Sequence, residues 1–283
     1  MSAYENYNAT ANTYDQTRSP VGIEIIVGCL SQNHVPLSNQ IILDAGCGTG
    51  NYSVALSNWV ERINAVDASR GMLTIARDKT TGSKGIDLCE AHLSALPFGP
   101  KSFDGVMVNQ VLHHLDDDCG TYAGCRQALA EFNRVLKPGG ILALNTSTHE
   151  QLKRGFWPYS LIPNAREQMC RRHVPLDQLI SMLHELDFTH RGCFVPVDQP
   201  LQGASYFDPR GPLRTEWRGG DSIWSTVFSD EFHRAMSYLR ELENRGELER
   251  YVAEHDKDRV VVGQLTFVIA RKHEDADAAE VRP

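Results

Sequence analysis

Two rhythms of hydrophobic and polar positions divide this chain. From 41 to 147, short aliphatic runs alternate with stretches in which apolar residues recur every three or four positions. The runs predict strands at 41–45, 63–67, 86–90, 103–109 and 140–146, and the helical spacing predicts helices at 50–59, 70–79 and 121–136. Pro138-Gly139-Gly140 stops the last of these helices. Regular alternation of strand and helix means a parallel sheet covered on both faces, with ligands at the carboxyl ends of the strands. Residues 1 to 20 are polar and rich in Tyr and Asn, and Pro20 and Gly22 set them apart from a short helical run, Ile23 to Leu30. After 147 the alternation fails. A helix from Leu176 to Leu186 and a strand-like stretch from Cys193 to Val197 lead into 198–222, which is rich in Pro, Gly, Arg and aromatics. An amphipathic helix over about 229–254 and a last strand, 260–271, follow, and the charged, aperiodic tail 273–283 reads as disordered.

The first strand stops in three alternating glycines, I-I-L-D-A-G-C-G-T-G, residues 41 to 50. Strand, glycine turn and helix open a nucleotide-binding unit, in which a ligand presses on bare backbone near a helix N-terminus. The dinucleotide fingerprint is G-x-G-x-x-G; here Gly46, Gly48 and Gly50 alternate strictly behind an acid, Asp44. An acid at the strand tip suits a cationic ligand and repels a pyrophosphate. Asp67 ends the next strand, 23 residues beyond Asp44, where a carboxylate can accept both ribose hydroxyls. A nucleoside with a positively charged, amine-bearing arm describes S-adenosylmethionine.

The stretch resembles the first motif of the class I S-adenosylmethionine-dependent methyltransferases, in the branch that includes the ubiquinone/menaquinone-type enzymes. Four further segments agree in order and spacing: V-D-A-S-R-G-M-L (66–73), A-L-P-F (95–98), F-D-G-V-M-V-N-Q-V-L-H-H-L (103–115) and F-N-R-V-L-K-P-G-G (132–140). The resemblance implies a Rossmann-like, seven-stranded, mostly parallel sheet with an antiparallel last strand. It places Tyr14 of the N-terminal Y-D-x-x-R segment over the methionine arm and Arg18 at its carboxylate, so that residues 1–40 cover the cofactor. It puts Met72 on the adenine face and Asn109 beneath the transferring methyl. Where the family commonly has an acid before A-L-P-F, this chain has His92, so adenine recognition falls to His92, the Leu93 amide or Glu90. The family's frequent H-H-L makes His113 and His114 histidines packed behind the cofactor, and Cys47 a small residue filling the turn.

Composition narrows the class further. At 283 residues with 41% hydrophobic and 23% charged positions, the chain is an ordinary globular protein of one domain with insertions or two small ones. A net charge of −8 argues against a nucleic-acid surface. No secretory leader and no apolar run of membrane-spanning length stand out, and seven irregularly spaced cysteines read as reduced thiols, together a cytoplasmic protein. Cys119 and Cys125 do not match a zinc pattern, and no metal site is expected.

In the resembled fold the last two strands form a hairpin with a short connection, whereas about sixty residues separate them here. Long insertions in a compact domain are usually functional, so 148–174 and 198–259 are read as a helical and loop lid inserted into a methyltransferase domain spanning 41–272. Trp157, Tyr159, Tyr206, Phe207, Trp217 and Trp224 could line an aromatic acceptor pocket. Arg166, Arg171, Arg172, Arg210, Arg214 and Arg218 could clamp a carboxylate. His149, just past the fifth strand, is the preferred general base. The expected activity is in-line methyl transfer to a small-molecule acceptor by a monomer or homodimer. A thiol or arsenite methyltransferase using Cys170 and Cys193, a cofactor-binding regulatory protein without turnover, and a nicotinamide-dependent oxidoreductase are the rivals.

Overall fold

The computed structural model describes residues 18–116 and 120–275. Strands β1 (Ile41–Ala45), β2 (Arg62–Asp67), β3 (Ile86–Glu90), β4 (Phe103–Asn109), β5 (Leu136–Thr146), β6 (Phe188–Phe194) and β7 (Thr266–Lys272) form one sheet in the order β3-β2-β1-β4-β5-β7-β6. The first five run parallel; β7 is antiparallel to both β5 and β6. The order reverses at β1, so the crevice beyond the ends of β1 and β4 is the topological switch point, where open α/β sheets bind ligands.

Helices α1 (Ile23–Leu30), α2 (Asn51–Leu56) and α3 (Arg70–Thr80) share one apolar cluster with one face of the sheet. On the other face, α4 (Ala123–Val135) packs with Val106, Val108, Leu142 and Leu144. The central strands are thus covered on both sides, which is why they read as unbroken apolar runs.

Four elements depart from the expected boundaries. Strand β5 begins at Leu136, so Pro138-Gly139-Gly140 lie within it; a register shift between the pairs Phe103–Leu136 and Gly105–Ile141 absorbs them. The stretch expected as one helix over 229–254 is two, α9 (Ser229–Arg245) and α10 (Leu248–Asp256), because Gly246 adopts a left-handed φ of 67° and caps α9. The last strand begins at Thr266, not 260: Arg259–Val262 make a helical turn whose Val260 and Val261 are exposed, and Leu265 to Ala270 carry the burial. The edge strand β6 likewise lies upstream of the Cys193–Val197 stretch; its anchor is the buried Phe188, while Phe194, Val195 and Val197 are exposed.

The two insertions build a third core of their own. Residues of 148–174, including helices α5 (His149–Arg154) and α6 (Pro163–Arg172), join residues of 198–259 around Trp157, Tyr206, Ile223 and Leu239. A buried carboxylate is one of several polar contacts that tie the pieces together. Proline opens α6 and contributes no amide, so the next orphan donors of its first turn are Asn164 and Ala165. Both are taken by the buried carboxylate of Glu231 on α9, at 2.7 and 3.2 Å. A carboxylate at a helix N-terminus also meets the favourable end of the helix dipole. Replacing it strands two donors, so Glu231→Ala is expected to cost about 1–3 kcal/mol in urea unfolding, with amide exchange rising first at 164–166. A loss too small to measure would mean that α6 is held by its apolar face alone.

Candidate functional site

The site begins at the turn after β1. The amides of Gly46 and Cys47 both donate to the carbonyl of Val66, at 2.8 and 2.9 Å, which stitches the turn to the tip of β2. Gly46 has a φ of 77°, and a Cβ there would stand 2.5 Å from Val111; the position admits only glycine on both counts. Gly48, with a φ of 54°, is different: a Cβ would meet nothing within 4 Å, so its backbone faces open space. Its amide donates to Oδ2 of Asp67 at 2.9 Å, and Oδ1 of Asp67 accepts from the Ser69 amide at 2.8 Å. Each carboxylate oxygen keeps a second lone pair for a further donor.

Asp44 sits inside the same turn, 1% exposed, and Oδ2 accepts the Ser53 hydroxyl at 2.6 Å, tying β1 to α2. Burial pushes its carboxyl up to about 7, opposed by the Ser53 bond and reinforced by the nearby charge of Asp67. Burial also raises Asp67, against the Ser69 and Gly48 amides. Two buried acids, each raised chiefly by burial and one of them also by its neighbour's charge, make a place where an added cation is stabilising. At the tip of β4, both Nδ2 and Oδ1 of Asn109 are buried and without a hydrogen-bond partner. Orphaned buried amides are rare and ask for an explanation such as a ligand.

The remaining expected cofactor residues are placed as follows. Met72 is buried on α3, its amide donating to the N-cap Ser69 at 3.3 Å. Leu93 is buried; His92 is exposed at the neighbouring turn, where its carbonyl accepts from the Ala95 amide. Glu90 is engaged by exposed Arg70 at 2.6 Å. Cys47 is buried with its thiol pushed well up, chiefly by burial, consistent with a packing residue. Tyr14 and Cys119 lie outside the described residues.

A small cavity of about 30 Å³, room for a water or two, lies past the ends of β4 and β5, with Gln110 and Ser147 in its wall. Its wall brings together Arg18, Gln110, His113, His114, Tyr159, His173 and Asp221, with Ser147 and Met169 among its other members. Arg18 is the sole arginine of this wall. Its Nε donates to the Gly220 carbonyl at 2.6 Å and its guanidinium lies 3.6 Å from Asp221, so it meets the second insertion, where a cofactor carboxylate was expected. Tyr159 donates to Asp221 at 2.9 Å. Gln110, in a left-handed conformation (φ 55°), donates through Nε2 to Oδ1 of Asn145, whose Nδ2 in turn reaches the Tyr52 hydroxyl.

Several expected acceptor residues prove structural. Trp157 and Tyr206 are fully buried in the third core and bond to one another, Trp157 Nε1 donating to the Tyr206 carbonyl at 2.9 Å. Trp217 donates to the Ser205 carbonyl and packs edge-on to Trp224, 6.3 Å between centroids. Arg210 forms a surface ion pair with Glu243. Arg166, Arg171 and Arg172 are on α6 but outside this cavity wall; Arg171 is exposed, and Arg172 donates to the Asp116 carbonyl. The preferred base, His149, is also outside the wall: its Nε2 lies 2.8 Å from the His173 carbonyl, so that nitrogen carries a proton and donates. His113 and His114, expected to be packing residues, are buried and also face the cavity. Nothing in the spacing of R-R-H-V-P marked His173, and Asp221 lay in a stretch without periodicity; only the fold joins them.

A nucleotide-type glycine turn beside two buried acids lies at the switch point of this sheet. Residues 43–144 match a family model described as a methyltransferase domain. Demethylmenaquinone methyltransferase of Clavibacter sepedonicus is 28% identical over 156 residues, 53% of this chain and 61% of that protein. The enzyme of that name from Staphylococcus aureus is 37% identical over 109 residues, 37% of this chain and 42% of its own length. The chain therefore spans about half the length of the curated relatives it matches. A solved structure from Anabaena variabilis, described as a methyltransferase from an antibiotic biosynthesis pathway, superposes with a TM-score of 0.69 at 24% identity, covering 90% of this chain and 98% of that one. Residues 43–144 thus carry a methyltransferase domain.

The two glycines separate folding from binding. Gly48→Ala places a methyl in ligand space at a backbone strain of about 1–2 kcal/mol, so cofactor affinity is expected to fall by more than stability does. Gly46→Ala adds a clash with Val111 and is expected to lower the melting temperature more. Equal cofactor affinity in Gly48→Ala and wild type, by calorimetry, would show that the open face of Gly48 is not ligand space.

Proposed function

We propose that this chain transfers a methyl group from S-adenosylmethionine to a small-molecule acceptor, by in-line displacement in a site closed by the two insertions. The observation that carries the reading is a pair of buried acids with raised pKa, Asp44 and Asp67, at the tips of β1 and β2, with the open backbone of Gly48 bonded to Asp67 and the orphaned Asn109 amide at the tip of the adjoining β4. Those residues fit the cofactor: Asp67 offers lone pairs to ribose hydroxyls, Asn109 offers a donor and an acceptor to the amino-acid arm, and the acid pair favours positive charge. Met72 and Leu93 offer an apolar edge for the adenine.

The cofactor brings an activated methyl on a sulfonium; the protein's part is to align the acceptor, exclude water and hold the proton released. The third core supports exclusion of water. Arg18, from the N-terminal segment, and Tyr159, from the first insertion, both meet Asp221 of the second. An acceptor larger than a water or two requires these walls to part and close again, a lid step of the kind that often limits turnover. A carboxylate on the acceptor has less support than the arginine count suggested, since Arg18 is already matched by Asp221 and Arg210 by Glu243. A soft nucleophile held between thiols has none: Cys170 is buried on α6 and Cys193 exposed on the edge strand. Among the described residues no helix is long and apolar enough to cross a membrane.

Calorimetry with S-adenosylmethionine and S-adenosylhomocysteine, followed by a labelled-methyl screen of pooled acids, amines, thiols, alcohols and phenols, tests this reading. Binding with label in one pool is expected; absence of cofactor binding would sink the proposal. Asp67→Ala is expected to weaken binding by about 1.5–3 kcal/mol, measured in the same titration.

The acid pair adds a pH dependence. A carboxyl whose folded value is raised, from about 4 to about 7 for Asp44, contributes stability that is fully present below pH ~4 and lost as pH rises through ~7. The free protein is therefore expected to lose stability between pH 4 and 7. A cationic ligand favours the ionised acid and offsets that loss, so the thermal shift from S-adenosylmethionine is expected to grow from pH 6 to 8. Asp44→Asn should flatten both trends; a wild-type shift that shrinks with pH would contradict the role given to Asp44.

A further inference from the structure

One wall of the cavity is made of three imidazoles. His113 and His114 lie on the 3-10 turn Leu112–His114 that follows β4, and His173 ends α6. Their exposures are 6%, 9% and 3%. The His113 ring stands 4.0 Å from His114 and stacks on His173 at 4.2 Å, the latter pair within 13° of parallel.

The hydrogen bonds fix how His173 is protonated. Its Nδ1 lies 2.9 Å from the Met169 carbonyl, which can only accept, so Nδ1 carries the proton. In a neutral ring Nε2 is then a bare lone pair, and none of the hydrogen bonds among the described residues uses it. The ring is neutral: burial, aided by His149 and opposed by the Met169 bond, pushes it down to about 4. Burial, the neighbouring imidazoles, Arg18 and Arg172 likewise hold His113 well below its ordinary value and push His114 down to about 3. Nδ1 of His113 is buried without a partner. The carboxylate in this wall, Asp221, is met by Tyr159 and Arg18.

A buried acceptor left without a donor is destabilising, so this wall selects for a ligand that brings a hydrogen. An ammonium is disfavoured by Arg18 and Arg172. A carboxylate would set lone pairs against lone pairs, and a thiol is a weak donor. A neutral hydroxyl satisfies the wall. We propose that the His113–His114–His173 wall is the subsite for a hydroxyl nucleophile on the acceptor, with Nε2 of His173 accepting its hydrogen bond and then its proton. The proposal rests on the methyl-transfer reading above. In the reaction an oxygen lone pair forms the new C–O bond, the methyl–sulfur bonding pair returns to sulfur, and the hydroxyl proton passes to Nε2. Positive charge leaves the sulfonium as it arrives on the imidazole, so the site's net charge is unchanged. His149, donating to the His173 carbonyl, is a positioning residue.

The test starts with cofactor-free, 15N-labelled protein and two probes that differ by one hydrogen-bond donor, phenol and its methyl ether, anisole. His173 is expected to show a protonated Nδ1 and a bare Nε2 whose resonance moves with phenol, and phenol is expected to bind at least roughly tenfold more tightly than anisole. His173→Asn keeps a donor for the Met169 carbonyl but removes the Nε2 lone pair. It should abolish the preference for phenol, raise KM for the hydroxyl acceptor found in the labelled screen by up to about tenfold, and lower kcat about 10²–10⁴-fold. A protonated Nε2, or no preference for phenol in wild type, overturns the proposal. So does label entering the amine or thiol pool at undiminished rate in His173→Asn. Failure to bind S-adenosylmethionine would instead strike the underlying reading, and leaves the phenol comparison interpretable; if His173→Asn does not fold, the wild-type spectra and probe pair still decide.

Discussion

The tip of β2 holds the site together. One carbonyl, Val66, accepts from two consecutive amides of the glycine turn, and the next residue, Asp67, accepts from a third amide and from the start of α3. The turn is thus fastened to the neighbouring strand and not merely to its own. That fastening needs left-handed backbone at Gly46 and Gly48, which is why the motif is glycine-rich. It also concentrates negative charge: Asp67 is drawn inward to satisfy the turn, and Asp44, braced by Ser53, is buried beside it. The same contacts that shape the turn leave an electrostatic deficit that a cationic nucleoside can fill.

The insertions solve a different problem. Between β5 and β6, and again between β6 and β7, the chain leaves the sheet, and segments that leave a sheet must bury apolar surface somewhere. Here they bury it against each other, around Trp157 and Tyr206, with Glu231 capping α6 across the junction. Aromatic residues spent on that core are not available to the cavity. Of the aromatic residues expected to meet the acceptor, Tyr159 reaches the wall, and it does so with its hydroxyl turned to Asp221.

How much of this was legible in the chain follows from how local each feature is. The β1 strand, the glycine turn and Asp67 depend on residues close in sequence or on a fixed βαβ spacing, and their positions were read correctly. Gly246 was equally local, yet the amphipathic pattern across it hid a left-handed cap and made two helices look like one. The run of valines at 260–262 misled in the opposite sense, because aliphatic β-branched residues suggest a strand whether or not the sheet has room for them. His173 and Asp221 were illegible for a stronger reason. Each acquires its neighbours only when the insertions fold back over the ends of β4 and β5.

That division also sets what kind of chemistry each half of the site can hold. The cofactor half is built from backbone amides and buried acids, groups whose fields are fixed by the turn and favour positive charge. The half proposed for the acceptor is built from imidazoles kept neutral chiefly by burial, with Arg18 and Arg172 adding to the effect on His113 and His114. A buried acid pair thus favours a cation at one end, and neutral rings, under that proposal, accept a hydrogen bond at the other. Asn109, uncharged and unpartnered at the tip of β4 between them, can serve either half without adding charge to it. An aspartate at the same place would extend the negative field toward the imidazoles, raise their basicity and favour their protonation, which would remove the lone pairs on which a hydroxyl acceptor depends.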